Sequence, residues 1–425
     1  MYANNLRVNC LKPACHCFVA RAPAIAARPV FGGGGTRYLV CYSGRQQKKV
    51  LDVLIYSQDL ARTEYGEAHP FKPMRAKLFL ELLNRFYLIF EDNQKIVEPM
   101  PIKEELLYLF HEKQYVEVLK KASAGEFSME MLWAELGTGD NPIFKGMFEF
   151  VLSVAGATYQ GAQMLLDDGV SMVFNPVGGL HHAGRDHAEG FCYVNDIAIA
   201  IADLNEKGKR VAYLDIDAHH GNGVQDAFYA SDKVLTISLH ESGEGFYPGT
   251  GFEKEIGDNE GRGYNVNIPF RAGTDDEVYL FAFEAVVPPL MEHFKPDILV
   301  AQIGGDGHKD DPLADLNLTS NSYKRVIQSM KAFSPKVLAL GGGGYNVFKT
   351  ASLWTIAWAT LCGLEPVDQY AGRVGGMMFG PETEAGHLDD APFVLEGAEK
   401  EACFEQARRV VAYLQKTVFP IHGIT

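Results

Sequence analysis

Residues 210–223 read RVAYLDIDAHHGNG, a short apolar run from Arg210 to Leu214 that breaks into Asp215, Asp217, His219, His220 and two glycines. A run this short, bounded by polar and turn-forming residues, is a buried strand and not a helix. In an extended chain positions two apart share a face, so Asp215, Asp217 and His219 converge at the end of the strand. Two carboxylates and an imidazole held together away from water call for a neutralising cation, as a divalent metal would provide. The competing reading is a helix N-cap or a hydrogen-bonded turn.

The same grammar repeats along the chain. Short apolar or β-branched runs at 53–56, 170–174, 210–217, 234–240, 264–269, 298–303 and 336–340 are separated by helical patterns at 72–90, 144–166, 195–207, 277–293, 320–332 and 348–361. Strands alternating with helices predict an α/β fold in one domain, with a central, mostly parallel sheet flanked by helices. In such sheets the ligand site lies at the carboxyl ends of the strands, which turns attention to the residues that follow each run. After 298–303 a glycine turn carries Asp306 to the same edge. Two carboxylates and one imidazole suit a catalytic zinc with an open position, and Fe(II) accepts the same donors. After 170–174 come His181 and His182, each needing a partner to fix its tautomer, with Asp215 and Asn222 as candidates. After 336–340 four glycines, 341–344, precede Tyr345. No Lys-Ser/Thr follows them, so a phosphate loop is disfavoured. The better use is a flexible turn presenting a phenol that donates to a developing oxyanion.

Composition narrows the function classes. The chain has 425 residues, 47% hydrophobic and 22% charged, and no apolar run reaches the ~18 to 20 residues of a membrane span. A net charge of −15 argues against direct nucleic acid binding. Seven scattered cysteines predict a reducing compartment and not a disulfide framework. Cys10, Cys15 and Cys17 lack a second Cys/His pair at zinc-finger spacing. The first 51 residues hold eight bases and no acid, leaving 31 bases against 54 acids beyond them. Residues 1–50 are therefore read as a basic extension or leader, 51–380 as the catalytic domain and 381–425 as a helical extension packed on it. The expected compartment is the cytoplasm, or an organelle if the leader is a transit segment. Oligomeric state leaves no mark in the sequence.

Together these pieces resemble the histone deacetylase family. The resemblance runs from about residue 51 to 364 and rests on GGLHHA at 178–183, GFCYVND at 190–196, the 215–223 run, PGTG at 248–251, Gly305-Asp306 and GGGGY at 341–345. Within the family it looks most like the bacterial acetoin-utilisation type. It implies an arginase-like fold with a narrow tunnel leading to zinc, and Asp217, His219 and Asp306 as metal ligands. It also implies His182 as general base, His181 with Asp215 as electrostatic support, and Tyr345 at the oxyanion. Gly190, Phe191 and Tyr247 would line the tunnel, with Phe246 packing in the core. Asp140 would bind substrate backbone at the rim, a turn-initiating Asp being the alternative. A potassium ion would lie near Asp215, Asp217, His219, Ser238 and Leu239. The activity implied is hydrolysis of acetyl-lysine in proteins.

One departure is Asn222, where the nuclear deacetylases of eukaryotes carry Asp, so a neutral amide would orient His182. Three rival functions are an amidohydrolase for small acetylated amines such as acetylpolyamines, a silent acetyl-lysine binding module, and an arginase-like ureohydrolase. His182 and Tyr345 speak against the second. The third would need further Asp/His pairs at the strand ends.

Overall fold

The computed structural model describes residues 50–89, 92–366 and 388–425, all within the one compact unit Lys48–Thr425. The basic segment, Cys10, Cys15, Cys17 and the expected boundary at 380 lie outside the described residues. Among the described residues eight strands form a single sheet: β1 Leu51–Ile55, β2 Gln94–Val97, β3 Val170–Asn175, β4 Val211–Asp215, β5 Val234–Glu241, β6 Asn265–Phe270, β7 Ile298–Gln302 and β8 Val337–Leu340. Their order is β2-β1-β3-β8-β7-β4-β5-β6 and every pairing is parallel, so the sheet is wholly and not mostly parallel. Strand β2 escaped the sequence reading because its four residues, QKIV, lie at the sheet edge with none fully buried.

Both faces of the sheet are covered, which is why the inner strands read as unbroken apolar runs. Alternate residues still divide between the faces. Val53, Val211 and Tyr213 pack with helices Met147–Met164 and Asp196–Glu206, while Leu54, Ala212 and Leu214 pack with Asp276–Phe294, Ser320–Phe333 and Val347–Cys362. The C-terminal helix Gly397–Thr417 lies against helix Asp276–Phe294 and β6. A third apolar cluster, built by Phe71, Val177, Leu180, Tyr193 and the helices between residues 104 and 133, supports the loops above the strand ends.

Topology fixes where those loops meet. After β3 the chain leaves a gap that β7 and β8 later fill between β3 and β4. The carboxyl ends of β3, β8, β7, β4 and β5 thus stand side by side, although β3 starts at Val170 and β8 only at Val337.

Candidate metal centre and active site

The β4 strand ends at Asp215, two residues before the end expected from sequence. Asp217 and His219 sit in tight turns, where the Asp217 amide donates to Asp215 Oδ1 at 3.1 Å and the His219 amide donates to Asp217 Oδ1 at 3.0 Å. The shared face of an extended strand is therefore not what gathers them; short side chains bonding their own backbone bend the chain instead. These turns separate Asp215 from the other two. Asp217, His219 and Asp306 offer ligand atoms within 4.8 Å of one another, all buried, and among the described residues they are the one such group. His219 Nδ1 lies 3.1 Å from Asp217 Oδ1 and 3.0 Å from Asp306 Oδ2.

The electrostatics of this trio demand positive charge. Burial and the Asp217 carboxylate push the Asp306 carboxyl up to about 7. Against burial, its bonds to Asp217 and Asp306 drive the His219 imidazole up to about 10. A divalent cation satisfies the same donors without a proton, and oxygen and nitrogen donors in this number suit zinc or Fe(II) with positions left for water.

Around the trio stand the other residues singled out from the sequence. His181 Nδ1 is 2.8 Å from Asp215 Oδ2, which also accepts from Tyr213 Oη at 2.5 Å. His182 Nδ1 is 2.7 Å from Asn222 Oδ1. The ring of His182 lies 6.0 Å from that of His219, and the ring of Tyr345 lies 6.3 Å from it on an edge-on path. Phe191 packs edge-on to Tyr345 at 5.7 Å. Tyr247, 41% exposed, meets His182 edge-on at 5.1 Å. Phe246 is not core: half-buried, it stacks on the His219 ring at 4.8 Å, because the turn that frees Tyr247 also turns Phe246 inward. At Gly190 a Cβ would fall 2.4 Å from His182 Cδ2, so only glycine fits there. The Asp140 carboxylate is in an exposed turn whose backbone carbonyl accepts from His69 Nε2 at 3.1 Å. Ser238 and Leu239 lie buried on β5, with Ser238 in register with Asp215.

Adjacent histidines acquire different charge states. Burial opposes the charged form of His181, yet Asp215 and Asp217 raise it to about 9. Burial, reinforced by His181 and His219, holds His182 well below the usual histidine range, so it is neutral and able to accept a proton. Burial and the carboxylates of Asp306 and Asp217 raise the Tyr345 phenol, which stays protonated as a donor.

The glycine turn, expected to be flexible, is tied to its surroundings by hydrogen bonds. Gly341 and Gly342 donate to Asn175 O at 3.0 Å and Gly178 O at 2.9 Å, and Gly343 donates to Asp217 Oδ2 at 2.7 Å. The buried Arg75 guanidinium, between Phe71 and Trp354, donates to the carbonyls of Gly342 and Gly344. Glycine is required by closeness: a Cβ on Gly343 would lie 2.2 Å from Asp306 Oδ2.

Several supporting residues went unnoticed in the sequence. Arg75 is one. Gln302 donates to Asp217 Oδ2 at 2.5 Å, and Asp196 accepts from the amides of Gly179 and Leu180, setting the turn before His181. Asp311 accepts from the Tyr345 amide at 2.6 Å. Glu189 Oε2 accepts from Asn222 Nδ2 at 2.9 Å and its Oε1 from Tyr247 Oη at 3.0 Å. A polar residue whose partners are remote in sequence leaves no local signal.

Comparison with known proteins agrees with this geometry. The family model described as histone deacetylase domain matches residues 69–361. The chain is 35% identical over 356 residues to the probable histone deacetylase 19 of Zea mays, covering 83% of this chain and 66% of that protein. It is 36% identical over 351 residues to histone deacetylase 1 of Homo sapiens, covering 82% and 70%. It therefore spans a little under two thirds of the maize relative's length. Among solved structures, an HDAC homolog from Aquifex aeolicus superimposes with a TM-score of 0.74 at 32% identity, over 85% of this chain and 100% of that one. An HDAC homolog complexed with SAHA gives 0.75 at 32% identity, over 87% and 100%. With the fold, the motif order and the relatives in agreement, the chain belongs to the histone deacetylase family.

Proposed function

We propose that the protein is a metal-dependent hydrolase that removes acetyl groups from acetyl-lysine in proteins. The observation that carries this reading is the convergence of a neutral His182, a protonated Tyr345 and the Asp217–His219–Asp306 trio around one point, the two rings lying 6.0 and 6.3 Å from that of His219. A zinc ion, or Fe(II), held by the trio would polarise the amide carbonyl and acidify the attacking water. His182 Nε2 takes the proton of that water, since its Nδ1 is engaged by Asn222, and returns it to the leaving amine. The resulting imidazolium sits beside His181, whose own charge is balanced by Asp215. Tyr345 donates to the oxygen as it becomes negative. Phe191 and Tyr247 flank the approach and suit the methylene stem of lysine, while Asp140 at the rim accepts from substrate backbone amides. The products are acetate and the free amine.

Further proposals are the potassium ion near Asp215, Asp217, His219, Ser238 and Leu239, the likeness to the acetoin-utilisation type, and a cytoplasmic setting. The last draws support from the free thiols Cys192, Cys362 and Cys403. The test is release of acetate from an acetyl-lysine peptide and from acetylpolyamines, side by side, with a chelator control. Chelator-sensitive turnover of the peptide supports the reading; preference for the polyamine transfers it to small acetylated amines, and no turnover of either sinks it.

A further inference from the structure

We propose that Glu189 is a positioning residue for His182, acting through Asn222. The inference deepens the deacetylase reading and rests on it for its kinetic arm. Asn222 bridges two groups of fixed demand. A carboxylate only accepts, so the side of Asn222 facing Glu189 must be its NH₂, here at 2.9 Å. The opposite face of the amide is then the carbonyl oxygen, 2.7 Å from His182 Nδ1. A carbonyl oxygen only accepts, so His182 Nδ1 must carry the hydrogen, and Nε2 is left as the free lone pair. The carboxylate thus sets the tautomer of the histidine from one residue away.

Among the described residues Glu189 is the one partner of the Asn222 NH₂, so without it no side chain holds the amide one way round. A reversed Asn222 would donate to His182 Nδ1 and place the ring hydrogen on Nε2, where it blocks proton uptake. Glu189 is itself firmly held. Burial opposes its ionisation, but bonds from His187, Tyr247 and Asn222 keep its carboxyl below the usual range. His187 Nε2 stands 3.5 Å from Oε2, on the outer side. The carboxylate also has a second duty, because Oε1 receives the Tyr247 hydroxyl at 3.0 Å. Base and tunnel wall are therefore tied to one side chain.

The experiment compares Glu189→Ala in the native and Asn222→Asp backgrounds, using the full chain and an acetyl-lysine peptide. In the native background kcat falls by roughly 10- to 100-fold, the usual cost of losing an outer partner. An Asp at 222 accepts from Nδ1–H whichever oxygen it uses, and in that background Glu189→Ala also relieves the repulsion between two carboxylates, so its cost to kcat is smaller than in the native chain. Equal losses in the two backgrounds, or an unchanged kcat in the native one, overturn the inference. A second readout needs neither metal nor turnover: nitrogen NMR of the His182 ring in the metal-free protein. The Nδ1–H form dominates in the native chain and in Tyr247→Phe, and gives way to a mixture in Glu189→Ala. An unaltered tautomer in Glu189→Ala overturns the inference even if no substrate is ever turned over, whereas an inert native enzyme with the expected tautomers sinks only the deacetylase reading.

Discussion

The side chains of His181 and His182 differ in what meets each Nδ1, a carboxylate for the first and an amide for the second. That difference, with shared burial, makes one imidazole a cation and the other a base. Two outcomes follow at this scale. Tyr345→Phe removes the donor to the oxyanion while leaving the ring against Phe191, so kcat drops by ~10² to 10³ with metal content unchanged, as read by steady-state kinetics and elemental analysis. An undiminished kcat would take Tyr345 out of the mechanism. Asp306→Ala removes one ligand of the trio, and metal content falls together with activity. Full metal occupancy in that variant would show that the ligand set is wrong.

Turns at the strand ends carry the chemistry, and their geometry is enforced by close packing. At Gly343 an added methyl meets the Asp306 carboxylate, so Gly343→Ala lowers metal affinity by more than about tenfold in a metal-competition titration. Retained affinity would mean that the turn yields. A second element-scale outcome concerns Asp390, which accepts from His308 Nε2 at 2.9 Å, Lys349 Nζ at 2.8 Å and the Ser320 amide at 3.0 Å. Burial opposes its charge, but these three bonds hold its carboxyl well below the ordinary value. A depressed native pKa stabilises the fold above the unfolded carboxylate value of about 4, and this contribution fades as pH falls below it. Asp390→Asn should therefore cost roughly 1 to 3 kcal/mol at pH 7 and progressively less below pH 4, measured by denaturant unfolding across pH. A pH-independent cost would assign the loss to packing alone.

For the molecule as a whole, a cation held by the buried Asp217–His219–Asp306 trio would link metal binding to folding stability. Chelation should lower Tm and readdition of zinc restore it, the stability regained being about 2.7 kcal/mol when free metal stands at 100 times its Kd. A Tm indifferent to chelator and zinc would contradict a metal bound at this centre. Among the described residues no helix is long and apolar enough to cross a membrane.

What the sequence determined by itself was local and periodic. Runs such as 211–215 could only be buried strands, the intervening helical patterns required cover on both faces, and polar residues at the run ends marked the site. Motif order supplied the family. Edge strand β2 stayed hidden because exposed positions carry no apolar pattern, and Phe246 was misplaced because apolarity does not say which apolar surroundings a ring will meet. Tertiary structure alone decided the rest. The insertion of β7 and β8 between β3 and β4 brings Asp306 to Asp217 and Gly343. Arg75, Gln302, Asp196 and Glu189 gained their roles from partners far along the chain. Hydrogen bonds and electrostatics act through space, and a single sequence records spacing only along the backbone.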